Sequence, residues 1–241
     1  MVSNSVLIIE DHKLLAQAVA TALADDGLHP RVVDPTELDG VIPTVEPGTL
    51  VLLDLRLGHG LDGTCAVAPL TQRGARVVVV TGTSDPLPLA HALEAGALTV
   101  VDKHQSFADL VRTIVTIRSG EGPGQDERRA AILAAAARRR AEQASAAALL
   151  DRLSSREQEV LDQLCQGSSA QEIAQDAGVS LTTVRAQIRS VLAKLGVRSQ
   201  LQAVARAHDL RRRAGGQYRR AGTGRRRSAG TPPSVDRDRQ F

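Results

Sequence analysis

Five polar residues of this 241-residue chain stand just beyond the ends of aliphatic runs, and together they hold the parts needed to move a phosphoryl group. Leu50–Leu53 runs straight into Asp54, Val6–Ile9 into Glu10 and Asp11, and Val77–Val80 into Thr81, while Lys103 follows Thr99–Val101 after one residue. A carboxylate at the end of a buried run is costly unless something pairs with it. Three close carboxylates repel one another unless a cation neutralises them, and an all-oxygen set with open positions suits Mg²⁺. A carboxylate nucleophile, a divalent metal, a hydroxyl and an ammonium are what holds a phosphoryl group as it transfers onto Asp54.

These residues converge only if the runs are neighbouring parallel strands. The runs, with Arg31–Val33 as the second in order, are mostly continuously apolar, as expected of strands covered on both faces by crossover helices. Five βα units in residues 1–118 predict a flavodoxin-like, doubly wound, five-stranded parallel sheet of order 2-1-3-4-5. Ligands in that arrangement bind beyond the carboxyl ends of the strands, at the switch between strands 1 and 3.

With Glu10, Asp11, Asp54, Thr81 and Lys103 each at the expected strand end, residues 5 to about 118 resemble the receiver domain of two-component response regulators. The resemblance implies that Asp54 accepts phosphate from a partner histidine kinase. It implies Mg²⁺ on Glu10, Asp11, Asp54 and the backbone carbonyl of Arg56, Lys103 on the phosphoryl oxygens, and Thr81 moving towards them as a switch. It also implies no enzyme activity beyond the receiver's own phosphoryl transfer and dephosphorylation. Three features depart from the family. Met-Pro after the acceptor is replaced by Leu57-Gly58-His59-Gly60, and the following acidic-Gly pair, Asp62-Gly63, is displaced by one residue, which predicts a longer and more flexible loop. The aromatic residue usual three positions before Lys103 is Val100, so transmission cannot use an aromatic rotamer. His59 reads as a solvated loop residue, since hard Mg²⁺ prefers oxygen, and His12 and His104 flank the site unremarkably.

Residues 119–150 contain a Gly/Pro break, "SGEGPGQDE", and an Ala/Arg-rich stretch that predicts a semi-rigid helical linker. Ile132, Leu133, Leu149 and Leu150 do not sustain a heptad, which argues against a coiled coil. From 151 to 210 four helices are expected: Ser154/Glu157 and Ser169/Glu172 form capping boxes, Gly167 and Gly178 close those helices, a third runs from Ser180 to Gly196, and a fourth starts at Ser199. Arg156-Glu157, Glu159-Val160-Leu161, Gly167, Glu172-Ile173-Ala174, Val179-Ser180, Thr183-Val184-Arg185 and Lys194-Leu195-Gly196-Val197 make this all-α segment resemble the LuxR-type DNA-binding domain. A receiver joined to it defines NarL/FixJ-type response regulators.

The helix-turn-helix is expected over about 169–189, with the recognition helix over about 181–195. Val184, Ile188, Val191, Leu192 and Leu195 share a core stripe; the opposite face centres on Ala186, flanked by Thr182, Arg189 and Ala193 with Arg185 at its edge. A small residue between arginines lets a helix approach base edges in a major groove. Thr182, Thr183, Arg185, Ala186, Gln187, Arg189 and Lys194 are the candidate DNA contacts. By resemblance Leu201 and Val204 offer a dimer surface, and the partners are double-stranded promoter DNA, a sensor histidine kinase, RNA polymerase and a second copy of the chain.

Composition bounds the rest. Residues 1–120 carry 8 basic and 14 acidic side chains, net −6, whereas residues 211–241 carry 10 and 2, net +8. The first part is therefore a poor polyanion binder, and the basic segment from 211, lacking any periodic apolar face, is expected to be a disordered tail. Cys65 and Cys165 read as reduced core residues of different domains. No apolar stretch could span a membrane, and a cytoplasmic protein with no membrane partner is expected. A haloacid-dehalogenase-type phosphatase needs a second Asp two residues after the first, where Arg56 stands, and a dinucleotide-binding oxidoreductase needs G-x-G-x-x-G after strand 1, where Glu-Asp-His-Lys stands. The remaining alternative is a phosphorylation-independent DNA-binding regulator using the receiver as a dimerisation or ligand-sensing module.

Overall fold

A computed structural model of the chain describes residues 4–58, 60–119 and 125–214. His59, the break at 120–124 and residues 215–241, on which the solvated-histidine, Gly/Pro-break and disordered-tail expectations fall, lie outside the described residues. The strands are β1 (Ser5–Ile9), β2 (His29–Val33), β3 (Leu50–Leu53), β4 (Arg76–Thr81) and β5 (Thr99–Asp102). They form one parallel sheet of order β2-β1-β3-β4-β5, as the aliphatic runs predicted.

The helices are α1 (Lys13–Asp25), α2 (Leu38–Val41), α3 (Thr64–Gln72), α4 (Pro86–Glu94), α5 (Phe107–Ser119), α6 (Gln125–Asp151), α7 (Ser155–Cys165), α8 (Ala170–Ala177), α9 (Leu181–Leu195) and α10 (Gln200–Arg213). Alternate strand residues feed two cores, one per face of the sheet. Leu7, Ile9, Val51, Leu53, Val77 and Val79 pack with Leu70 of α3 and Leu93 of α4. Val6, Ile8, Leu50, Leu52, Val78 and Val80 pack instead with Leu23 of α1 and Ile114 of α5. The β2–β3 connection departs from a full crossover helix: α2 spans one turn between 3₁₀ turns at Pro35–Glu37 and Ile42–Thr44, because Pro43 cannot continue a helix past Gly40. Pro30 is tolerated within β2 because that strand is an edge.

Two compact units divide between Ala141 and Glu142, inside α6. The stretch read as a semi-rigid helical linker buries side chains in both: Ile132 and Leu133 pack on the core of the first unit, Ala146 and Leu150 in that of the second. Within the second unit the punctuation falls as read. Ser154 and Ser169 form reciprocal capping boxes with Glu157 and Glu172, Ser180 caps α9, and Gly178 and Gly196 end their helices at φ +64° and +68°.

Two expectations need correction. The tail does not begin at residue 211: α10 continues to Arg213, Arg211 pairs with Asp162, and Leu210 and Ala214 are buried among α7 and α9 residues. Apolar residues at 203, 207, 210 and 214 extend the helical period beyond the point where arginines dominate the composition. Cys65 is not a core residue either, since it is exposed at the start of α3. Among the described residues no helix is long and apolar enough to cross a membrane.

Candidate functional site

Strand register assembles the acceptor pocket. Ile9 pairs with Leu53, so the next residues, Glu10 and Asp54, emerge side by side, and the Asp54 amide donates to the Ile9 carbonyl at 3.0 Å. On the other flank Thr81 pairs with Asp102, and the Lys103 amide donates to the Thr81 carbonyl at 3.1 Å. The structure thus brings together Glu10, Asp11, Asp54, Thr81 and Lys103. Asp54, Thr81 and Glu10 are buried, and the Lys103 Nζ lies 2.5 Å from both Asp54 Oδ2 and Glu10 Oε2. One cation therefore compensates two buried carboxylates.

That compensation is incomplete. Asp54 Oδ1 is buried without a hydrogen-bond donor, and so is Asp11 Oδ1, which His12 Nδ1 approaches at 2.8 Å without the alignment of a hydrogen bond. Oxygens of Glu10, Asp11 and Asp54, with His12 Nδ1, lie within 4.8 Å of one another. Undonated carboxylate oxygens in an otherwise oxygen-rich cluster fit a hard divalent cation. Burial pushes the Asp11 carboxyl up, but the close approach of Glu10 and the neighbouring His12 outweigh this and hold it below the usual carboxylate range. His12 is less incidental than the sequence suggested: its amide donates to Glu10 Oε1 at 2.9 Å, and bonding to Glu10 and the charge of Asp11 raise its imidazole pKa.

The loop after Asp54 is tied rather than loose on either side of His59. Leu55 and Leu57 are buried, Arg56 forms an isolated antiparallel bridge to Asp62, and the Leu61 amide donates to the Gly58 carbonyl at 2.8 Å. Sequence reasoning missed why Gly63 must be glycine. A Cβ there would sit 2.1 Å from the Asp54 carbonyl oxygen, so any side chain would push the acceptor's backbone. Asp62 meanwhile accepts from the amide and hydroxyl of Thr64 and starts α3. Val100 is buried in the core beneath α4, and among the described residues no aromatic side chain takes its place there.

In the second unit α9 presents the expected two faces. Val184, Ile188, Val191 and Leu195 are buried, while Thr182, Thr183, Arg185, Ala186, Arg189 and Ala193 are exposed. Neither Arg185 nor Arg189 has an ion pair among the described residues, so both cations are available to a polyanion. The Thr183 hydroxyl is 2.8 Å from the capping Ser180 hydroxyl, and Gln187 is half-buried. Lys194 is engaged internally: its Nζ donates to Glu157 Oε2 at 2.6 Å, and the Ser190 hydroxyl donates to Glu157 Oε1 at 2.6 Å. Leu201 is 81 % exposed on α10, whereas Val204 is half-buried against the α7–α9 core.

The Glu157 network fixes α9 on α7 and gives a pH prediction. Burial pushes this carboxyl up, but hydrogen bonds from Lys194, Ser190 and Ser154 prevail and bring it from an ordinary 4.5 to about 2. A carboxyl depressed in the folded state stabilises above its unfolded pKa, and this contribution is lost as pH falls from 4.5 towards about 2. Glu157→Gln should cost roughly 1–3 kcal/mol at pH 7 for this half-screened pair, with the difference from wild type shrinking in urea melts near pH 3. A difference independent of pH would exclude the charge as its cause.

Comparison with known proteins agrees with both halves. Residues 6–115 match the response regulator receiver domain, and residues 151–207 match the bacterial regulatory proteins of the luxR family. The virulence factors putative positive transcription regulator BvgA of Bordetella pertussis is 30 % identical over 210 residues, 83 % of this chain and 95 % of that protein. The glycerol metabolism activator of Pseudomonas putida is 27 % identical over 214 residues, 85 % of this chain and 95 % of its own. LiaR of Bacillus subtilis, a transcriptional regulatory protein, is 28 % identical over 209 residues, 84 % and 96 % respectively. With a receiver pocket complete in its five polar residues and a LuxR-type helix-turn-helix behind it, the chain belongs to the NarL/FixJ-type response regulators of two-component systems.

Proposed function

We propose that this response regulator is phosphorylated on Asp54 by a partner histidine kinase and then binds promoter DNA as a homodimer. The observation that carries this reading is the buried Asp54 carboxylate, with one oxygen on Lys103 and the other lacking a donor. In the transfer a carboxylate oxygen of Asp54 forms the new O–P bond as the P–N bond of a phosphohistidine breaks, and the electron pair leaves with the imidazole. A Mg²⁺ ion on Glu10, Asp11, Asp54 and the Arg56 carbonyl would offset the charge of the cluster and of the incoming group. Lys103 steadies the phosphoryl oxygens, and Thr81 moves towards them as the switch. Hydrolysis returns Asp54 to its carboxylate, so the receiver's chemistry stays confined to its own phosphoryl group.

Arg185 and Arg189, with Thr182 and Ala186 beside them on the same face, read the major groove, while Thr183 and Gln187 reach backbone or base from the edge of that face. Lys194 holds the helix through Glu157 rather than reading bases. Leu201 is the exposed apolar residue of the α10 dimer surface, with Val204 supporting it from below. RNA polymerase at the promoter is a further partner, and the cytoplasm is where kinase, chain and DNA meet.

Sedimentation and DNA titration before and after phosphorylation test the reading. A shift towards dimer with tighter specific binding is expected. Unchanged mass and affinity in fully phosphorylated protein would favour constitutive binding with the receiver as a dimerisation or ligand-sensing module, which Val100 in place of the aromatic relay makes the natural rival.

A further inference from the structure

The first half of α6 carries a second functional feature. Arg129, the adjacent pair Ile132 and Leu133, Ala136 and Arg140 recur at intervals of three or four residues and share one face of the helix. Ala136 is fully buried, and Ile132 and Leu133 pack on the core that contains Leu89, Leu93 and Val100. The Arg129 guanidinium donates to the carbonyls of Leu93 and Ala97, both at 2.9 Å. Those carbonyls lie at and just beyond the C-terminus of α4, where backbone acceptors lack helical partners and a positive charge is favoured. Arg140 forks onto Glu94 with contacts of 2.7 and 2.9 Å. Both side chains of that pair are about half exposed, so it contributes register more than strength.

The partner of this face is the element directly downstream of the switch residue. Thr81 ends β4 and α4 begins at Pro86, so a shift of Thr81 pulls on the N-terminus of a nine-residue helix whose other end holds α6. With Val100 rather than an aromatic ring beneath α4, that rigid-body route is the one the core offers. The attachment is also small, resting on two arginine guanidiniums, two half-buried aliphatic residues and one alanine along an otherwise Ala-rich helix.

We propose that residues 129–140 form a latch docked on α4 of the receiver, released when α4 moves, and that this release is how the acceptor pocket signals to the rest of the chain. The release step rests on the phosphorylation of Asp54 proposed above; the docking does not. Hydrogen exchange on the full chain, read by mass spectrometry, tests both. In unlabelled wild type the amides of 130–140 should be protected, and Arg129→Ala should speed their exchange about tenfold while β3 and β4 stay unchanged. Arg140→Glu should do the same more weakly, and Glu94→Arg added to it should restore protection, an outcome that general unfolding could not give. Protein carrying the phosphoryl group, verified by mass, should show the same local rise. Equal exchange in wild type and Arg129→Ala would overturn the docking, and unchanged exchange in labelled wild type would overturn the latch. Failure to label at all would overturn the phosphorylation reading beneath it, with the Arg129→Ala comparison still deciding the docking.

Discussion

Asp54→Asn protein should gain no mass when incubated with a small phosphodonor and Mg²⁺, under conditions in which wild type gains one phosphoryl group that a chelator prevents. The amide is nearly the same shape as the carboxylate but is not a comparable nucleophile, and its neutral oxygen cannot balance the Lys103 charge as Asp54 Oδ2, 2.5 Å away, does. The loss should therefore be complete. Asp11 is more exposed than Glu10 or Asp54, so Asp11→Ala should keep the fold and lose the metal dependence of labelling. Lys103→Ala should retain some labelling but uncouple it from output, because the ammonium positions the phosphoryl group without forming the bond. It should also lower stability, since Glu10 and Asp54 would both remain buried without their shared cation. Labelling that survives in Asp54→Asn would end the mechanism.

The second large effect concerns DNA and separates two sources of positive charge. Arg185 and Arg189 stand on the exposed face of α9 with no internal ion pair among the described residues, held in place by the buried stripe from Val184 to Leu195. Removing either should cost roughly 1–3 kcal/mol on the specific site if it grips a base, and little on random DNA. Residues 215–241 carry 7 basic and 2 acidic side chains, net +5, and should add affinity to any duplex through counterion release. Truncation belongs after Ala214, because Arg211 and Ala214 are part of the folded unit. Deleting 215–241 should weaken target and scrambled duplexes alike and flatten the salt dependence, whereas Arg189→Ala should lower the ratio between them. Titrations at two salt concentrations read both effects. An unchanged ratio in both arginine variants would refute the reading face.

What was legible in the sequence followed from strong local rules. Short, β-branched aliphatic runs fit strands buried on both faces, and the polar residues at their ends marked the pocket. The caps of α7 to α10 were legible because Ser, Glu and Gly each satisfy a backbone need at a helix end. Long-range pairings were not. Lys194 looked free for DNA because Glu157, 37 residues away, leaves no local trace of its bond. Arg129 lay in an Ala/Arg-rich stretch without a heptad, and only its spacing to Ile132, Leu133, Ala136 and Arg140 marked a docking stripe. The exposure of Cys65 and the continuation of α10 past residue 211 were misjudged for the opposite reason, since residue type outweighed periodicity.

The loop after Asp54 has a consequence for how this protein can change. Its tight constraints include both ends, where Asp54 is fixed beside β1 and a Cβ on residue 63 would meet the Asp54 carbonyl, and Gly58, where a Cβ would lie 3.0 Å from Asp11 Oδ2, while the Arg56–Asp62 bridge closes the neck. The extra residue relative to the usual spacing falls between Asp54 and Asp62. Length is thus decoupled from acceptor geometry at one point: insertions at the exposed Gly60–Leu61 step should be tolerated, whereas a single residue added between Leu61 and Gly63 would displace the acceptor's backbone. The tip of this loop is accordingly the place beside the pocket where a lineage, or a protein engineer, can graft a new recognition element while leaving the chemistry beneath it untouched.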